Sequence, residues 1–274
     1  NDDWPISDND LIARESMSKF SMKEYENTIY HDAQRYDDEH WWKTDDFPFW
    51  KKMLVEASGN KVLELAAGTG RLAIPLIRSS AEYTGIEISP EFVSHANDKL
   101  QMENGQGKII LGDIRSFDLS EKFDLIFIGF NSFLHLLTDK DASACLKCVI
   151  AHMHDKSRFI IDIFYPSPLF LYRPENMRFP TMEYRDSVTN EKTWVEETND
   201  YNSETGINKI RWFYSTDKNK DIRTYDFTMR MYWPDTMNRL LIDAGLSIKH
   251  VWGTYRKTKY SENSNLQIYV AGLK

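Results

Sequence analysis

The stretch Val62-Leu-Glu-Leu-Ala-Ala-Gly-Thr-Gly-Arg71 carries the clearest chemical signal in the chain. An apolar run enters a Gly-x-Gly turn that opens a helical pattern. Gly68 and Gly70 let the backbone turn tightly and let a ligand lie against it, with amide N–H groups facing the ligand at a helix N-terminus. Ala66 and Arg71 flank the turn. Glu64, just before it, can accept bonds from a ligand ammonium or order the loop. Glu87, with Ile88 beside it, ends the run Gly85-Ile-Glu-Ile-Ser, where a carboxylate can take both hydroxyls of a ribose. Asp113-Ile114 ends a third run and can bond an adenine amine. A fourth run, Phe123-Asp-Leu-Ile-Phe-Ile-Gly-Phe130, empties into Asn131-Ser132. His135 follows four residues past Asn131. It is the candidate general base, because neutral imidazole suits proton removal near pH 7. The structural reading of the same residue is a hydrogen-bonded histidine on the following helix.

These residues need a scaffold that brings strand ends together. Strands are predicted over Lys61–Leu65, Tyr83–Ile88, Lys108–Leu111, Phe123–Phe130, Arg158–Phe164, Ser247–Trp252 and Leu266–Gly272. Helical patterns alternate with them over Gly70–Ser79, Pro90–Asn104, Asp139–His154 and Pro234–Ala244, the last with Pro near its first turn and Gly245 past its end. Such alternation gives an α/β fold with a mostly parallel seven-stranded sheet and helices on both faces. Ligands in open sheets of this kind bind outside the carboxyl ends of the strands, where all four motifs fall. Between Pro166 and residue 232 the pattern changes to Thr193–Thr198, Lys209–Ser215 and Ile222–Met231, an inserted antiparallel meander. Residues 1–57 form an aromatic, acidic lead-in with helices over Lys23–Asp37 and Phe47–Ala57. The expected organisation is a helical lid over 1–57, an α/β domain over 58–165 and 233–274, and a β subdomain over 166–232.

The spacing of Glu64-Leu-Ala-Ala-Gly-Thr-Gly70, Glu87 and Asp113-Ile114 resembles the class I S-adenosylmethionine-dependent methyltransferases. The resemblance covers residues 55–164 most closely. The lead-in and the β insertion resemble the bacterial small-molecule branch, which includes amino-sugar N,N-dimethyltransferases and glycine N-methyltransferase-like enzymes. It implies a Rossmann-like domain that binds S-adenosylmethionine through Glu64, Ala66, Gly68, Gly70, Arg71, Glu87, Ile88, Asp113, Ile114, Phe130 and Asn131. It also implies N-terminal helices closing over the cofactor, and an inserted sheet shaping the acceptor pocket. Tyr36 joins His135 as a catalytic candidate. Tyr30, Tyr184, Arg185 and Trp194 are candidates to line the acceptor pocket, as is Arg211. The implied reaction is methyl transfer to a nitrogen, or with less support an oxygen, of a small molecule.

Composition narrows the alternatives. The 34 Lys and Arg against 42 Asp and Glu leave a net charge of −8, with a pI near 5.4. That argues against a nucleic-acid partner, which needs clustered cations. The position after the fourth strand also reads Asn131-Ser-Phe-Leu-His135, where enzymes of base amines carry Asn/Asp-Pro-Pro and an aromatic residue. No apolar run reaches the roughly 18–20 residues that span a bilayer, so no membrane partner is expected. The acidic start shows no signal peptide, its missing Met reads as a trimmed end, and two cysteines fit a reducing cytoplasm. Cys145 and Cys148, followed by His152 and His154, fall on one helical pattern, which cannot fold four ligands around a metal. Two rivals remain. A nicotinamide oxidoreductase would use Gly68-Thr-Gly-Arg-Leu-Ala73 and the pair Tyr255 and Lys259. A cofactor-binding domain without turnover would use the same loop and acids. A homodimer through the inserted sheet is the expected assembly.

Overall fold

A computed structural model describes residues 28–103, 107–174 and 176–274. After a 3₁₀ turn at Ile29–His31 come α1 (Ala33–Glu39), α2 (Phe47–Val55), β1 (Lys61–Leu65), α3 (Ala73–Ile77), β2 (Glu82–Glu87) and α4 (Pro90–Met102). Then follow β3 (Gly107–Leu111), β4 (Phe123–Ile128), a 3₁₀ turn at Ser132–His135, α5 (Asp139–Ala151), β5 (Met153–Phe164) and α6 (Pro168–Leu171). The remainder is β6 (Phe179–Arg185), β7 (Lys192–Asn202), β8 (Ile207–Thr216), β9 (Arg223–Arg230), α7 (Pro234–Asp243), β10 (Leu246–Trp252) and β11 (Leu266–Leu273).

Seven strands form one sheet in the order β10-β11-β5-β4-β1-β2-β3, and β6 to β9 form a separate antiparallel sheet in sequence order. The pairs from β3 to β5 are parallel, whereas β11 and β10 run antiparallel. β4 shows why its run is apolar from Leu125 onward. Ile126 and Ile128 enter the core under α5 and α7, while Leu125 and Phe127 enter the core under α2, α3 and α4. A strand covered on both faces reads as continuous hydrophobics. The strand order reverses between β1 and β4, and the crevice outside a reversal is where open α/β sheets bind ligands.

The inserted sheet has two unlike faces because strand side chains alternate. One face carries Val195, Ile210, Trp212, Tyr214, Tyr225 and Phe227, and packs with Tyr184 against Ile29. The other is polar, with Arg211 paired to Asp226.

Several expected boundaries need correction. The insertion has four strands, and β6 was missed because Pro180 and a register irregularity between Pro180 and Met182 break its alternation. The helix expected from Gly70 begins at Ala73, since Gly70 sits at φ +77° in the turn. The helix expected to Ala57 ends at Val55. The helix expected to run to His154 ends at Ala151, and β5 starts at Met153. His152 and His154 therefore leave the helix of the two cysteines. His152 Nε2 accepts the Leu119 N–H at 2.9 Å, and His154 bonds Asp124 at 3.1 Å. The expected helix over Lys23–Asp37 falls partly outside the described residues, and Asp32 interrupts what is described. Its carboxylate caps α1 by accepting the Arg35 N–H at 3.0 Å.

Candidate active site

The glycine loop is built from three left-handed residues, Ala66 (φ 55°), Gly68 (φ 59°) and Gly70 (φ 77°). At Gly70 a Cβ would press on Ala96 and Ile109 at 3.3 Å, so glycine permits close packing of α4 and β3. At Gly68 a Cβ would meet nothing within 4 Å, so the loop presents an open face there. Glu87, at the end of β2, orders that face. Its Oε2 accepts the Gly68 N–H at 2.9 Å, and its Oε1 accepts those of Ile88 and Ser89, both at 2.9 Å. Burial raises the Glu87 pKa, and these three donors work against the rise.

Glu64 points elsewhere. It is buried at 5% exposure, accepts the Tyr83 hydroxyl at 2.5 Å, and burial pushes its pKa up to about 8. Arg71 grips Asp46 with two bonds, at 2.7 and 2.9 Å. Asp113 stands just past the end of β3, where the Arg115 guanidinium binds both its oxygens.

Helix α1 lies over this edge. The Asp37 carboxylate accepts the Thr69 hydroxyl at 2.5 Å and the Lys99 ammonium at 2.7 Å, and bonds His95 at 2.8 Å. On the other side of the helix, Arg35 donates to the Tyr225 hydroxyl at 2.6 Å and lies 4.4 Å over that ring. Glu39, fully buried, pairs with Arg35 at 3.1 Å, and burial pushes its pKa up to about 7. One short helix therefore touches both the glycine loop and the inserted sheet.

His135 stands at the end of its 3₁₀ turn, 2.8 Å from the Tyr30 hydroxyl through Nε2. The Tyr30 ring meets Tyr36 and Phe92 at 6.2 Å, and Tyr36 packs on Phe92 at 4.9 Å and His40 at 4.2 Å. Desolvation lowers the His135 pKa to about 4, against a backbone hydrogen bond at Thr228 that raises it. The imidazole is thus neutral, the form a base requires. The turn before it is strained: Phe130 and Asn131 have φ of 50° and 68°. For non-glycine residues this costs roughly 1–3 kcal/mol each.

Of the acceptor candidates, Tyr30 is brought to His135, and Tyr184 joins the aromatic face of the insertion. Trp194 is not brought there, because alternation along β7 puts it on the face opposite Val195. Arg211 shares that outer face and pairs with Asp226. Arg185 is exposed and donates to the Asn190 carbonyl at 2.7 Å.

His40 and His135 give the site a pH signature. Burial holds both near about 4. A histidine whose folded pKa lies below its unfolded value, ~6.5, stabilises fully above that value and loses its contribution as pH falls towards 4. Glu39 and Glu64, whose pKa values are raised, act in the opposite sense, stabilising below about 4.5 and fading as pH rises. Melting temperature should fall less between pH 6.5 and 4 in a His40→Gln/His135→Gln double variant than in the parent. Parallel curves would show that these imidazoles are not buried neutral.

Residues 62–156 match the methyltransferase domain family. The chain is 34% identical over 113 residues to the uncharacterized methyltransferase YrrT of Bacillus subtilis (strain 168), covering 40% of this chain and 51% of that protein. These matches support a class I S-adenosylmethionine-dependent methyltransferase domain over residues 62–156. The chain matches about half the length of YrrT. It is 23% identical over 227 residues to the glycine/sarcosine N-methyltransferase of Aphanothece halophytica, covering 81% of this chain and 80% of that enzyme. The CcbJ methyltransferase from Streptomyces caelestis shares the fold, with a TM-score of 0.77 at 18% identity over 91% of this chain and 98% of that one.

The geometry fits the cofactor of this family. The open face at Gly68, the carboxylate of Glu87 at the loop and Asp113 at the next strand end line one edge of the sheet. Carboxylates offer about four acceptor positions, and Glu87 spends three on the backbone.

Around the candidate site the structure adds Arg35, Asp37, Asp46 and Asp162, which the sequence reading did not single out. A signal existed for Asp162, the one charge in the apolar run Phe159-Ile-Ile-Asp-Ile-Phe164. For Asp37 the run Tyr36-Asp-Asp-Glu39 marked an acidic surface without marking which acid turns inward.

Proposed function

We propose that the protein transfers a methyl group from S-adenosylmethionine to a nitrogen of a small-molecule acceptor. The observation that carries this reading is the Tyr30–His135 pair, held neutral beside the aromatic rings at the carboxyl edge of the sheet. When bound, S-adenosylmethionine supplies a sulfonium-activated methyl: the acceptor nitrogen forms the new N–C bond as the S–C bond breaks, and that electron pair stays on sulfur. An ammonium acceptor must first lose a proton, and His135 Nε2 takes it once the Tyr30 hydroxyl turns aside. The faces of Tyr30, Tyr36 and Phe92 favour positive charge nearby. Helix α1 excludes water and aligns the reactants, which is most of what this chemistry needs from a protein.

The relative named as a glycine/sarcosine N-methyltransferase supports nitrogen over oxygen. Tyr30 and Tyr184 are assigned to the acceptor, and Tyr36 to the wall between acceptor and cofactor. Among the described residues no helix is long and apolar enough to cross a membrane. A cytoplasmic location, supported by the free Cys145 and Cys148, and a homodimer through the inserted sheet complete the reading.

The test is calorimetry with S-adenosylmethionine and NADH, followed by mass spectrometry of glycine, sarcosine and amino sugars incubated with enzyme and S-adenosylmethionine. Binding of S-adenosylmethionine with a mass gain of one or more methyl groups on an amine is expected. Tighter binding of NADH, or methylation confined to hydroxyls, would overturn it.

A further inference from the structure

Asp162 is the one charge in the apolar half of β5, Phe159–Phe164, and at 1% exposure a buried acid there is costly unless it does something a valine would not. Its contacts are one-sided. Among the described residues Oδ1 has no hydrogen-bond partner, while Oδ2 accepts the Tyr255 hydroxyl at 2.8 Å and the Phe130 N–H at 3.3 Å. The Asp162 backbone carbonyl accepts the next amide, that of Asn131, at 3.1 Å. Asn131 Oδ1 in turn accepts the Phe164 N–H at 2.7 Å. Both residues so held are in left-handed geometry, and neither is glycine.

The same turn is packed by Lys43 and His40 of the lead-in and by Arg71 after the glycine loop. Lys43 Nζ donates to the Tyr255 hydroxyl at 3.2 Å and lies 5.7 Å from the Phe130 ring centre. Arg71 lies over that ring at 5.2 Å, and the His40 ring meets it edge-on at 5.4 Å. The 3₁₀ turn starting at Ser132 is the direct continuation of this segment, so its angle of departure fixes where His135 stands.

We propose that Asp162 is a positioning residue: through Oδ2 it holds the Phe130–Asn131 turn in its left-handed geometry and thereby sets His135 against Tyr30. Accepting hydrogen bonds is the whole of the role, so an amide in place of the carboxylate serves. The consequence for turnover rests on His135 acting as the base. The placement itself does not, and it is measured without cofactor or acceptor.

The experiment compares Asp162→Asn with the double variant Asp162→Val/Tyr255→Phe. Valine suits a buried strand, and phenylalanine removes the hydroxyl that would otherwise be stranded, so the double variant keeps an apolar, filled site. Two readouts are taken by nuclear magnetic resonance on folded protein: amide exchange at Phe130, and the imidazole nitrogen pattern of His135, assigned with His135→Ala. In the parent and in Asp162→Asn, the Phe130 amide is protected and His135 shows one tautomer. In the double variant, Phe130 exchange rises ~3- to 10-fold above the change at β4 amides, and the His135 pattern averages between tautomers. Unchanged exchange and an unchanged His135 pattern in the double variant would overturn the proposal. So would an Asp162→Asn variant that behaves like the double, because charge rather than hydrogen bonding would then set the turn. A failure of these readouts leaves methyl transfer standing, and a failure to find an amine acceptor leaves the placement standing.

Discussion

Replacing His135 with alanine is expected to lower methyl transfer to an amine by ~10²–10⁴, the usual contribution of a positioned general base. Affinity for S-adenosylmethionine should stay within about twofold, since the glycine loop, Glu87 and Asp113 are all elsewhere on the edge. The split between a large loss of turnover and a small change in binding is what separates a base from a wall of the pocket. The pH profile sharpens the test. Burial holds the imidazole near about 4, so it remains a base well below pH 6.5. The limb of kcat/KM belonging to His135 should therefore lie on the acid side of the ordinary histidine value, and His135→Ala should abolish it. The limb of the acceptor amine, which is reactive only when deprotonated, stays in both proteins. Formation of S-adenosylhomocysteine from S-adenosylmethionine, followed over pH 4–9, measures all of this. A variant that turns over as fast as the parent would make His135 structural and leave catalysis to proximity alone.

The parts of the site legible in the sequence are those that local pattern encodes. A strand running into Gly-x-Gly, an acid at the next strand end and a histidine just past the fourth strand each sit within a dozen residues of the element that positions them. The sheet was legible for the same reason, because strands buried on both faces and helices with one apolar face leave distinct periods. The boundaries that failed did so where a local rule was locally broken: Pro180 and a bulge hid β6, and Asp32 split the lead-in helix. What the sequence hid was the wiring between elements. Asp37 meets Thr69, His95 and Lys99, and Arg35 meets Tyr225 across 190 residues. No periodicity marks which of three consecutive acids, Asp37, Asp38 or Glu39, turns to the loop, to the surface or to the insertion. Trp194 is the plainest case. A strand gives its residues to two faces in strict alternation, and the chemistry of tryptophan does not say which face is inside.

Replacing Glu87 with alanine is expected to weaken S-adenosylmethionine binding roughly ten- to a hundredfold, corresponding to the ~1.5–3 kcal/mol of a hydrogen bond to a charged group. Two effects contribute, and a second variant separates them. The carboxylate arranges the loop through Gly68, Ile88 and Ser89, and its remaining acceptor capacity faces the edge where a ribose would sit. Glu87→Gln keeps the shape and one acceptor oxygen but loses the charge and one of the two acceptor atoms, so its affinity should fall between parent and alanine. Two opposing effects act on stability. Burial raises the Glu87 pKa, so ionising this group at neutral pH costs the folded state some of its stability. Removing it recovers that cost but also leaves the Gly68, Ile88 and Ser89 N–H groups without their acceptor, which more than offsets the gain, so melting temperature should fall in Glu87→Ala and less in Glu87→Gln, which keeps an acceptor. Calorimetry on folded protein at pH 7.5, with NADH as the control ligand, decides the matter. Unchanged affinity in Glu87→Ala would mean the cofactor does not lie along β2, and the assignment of Gly68 and Asp113 to it would fall as well.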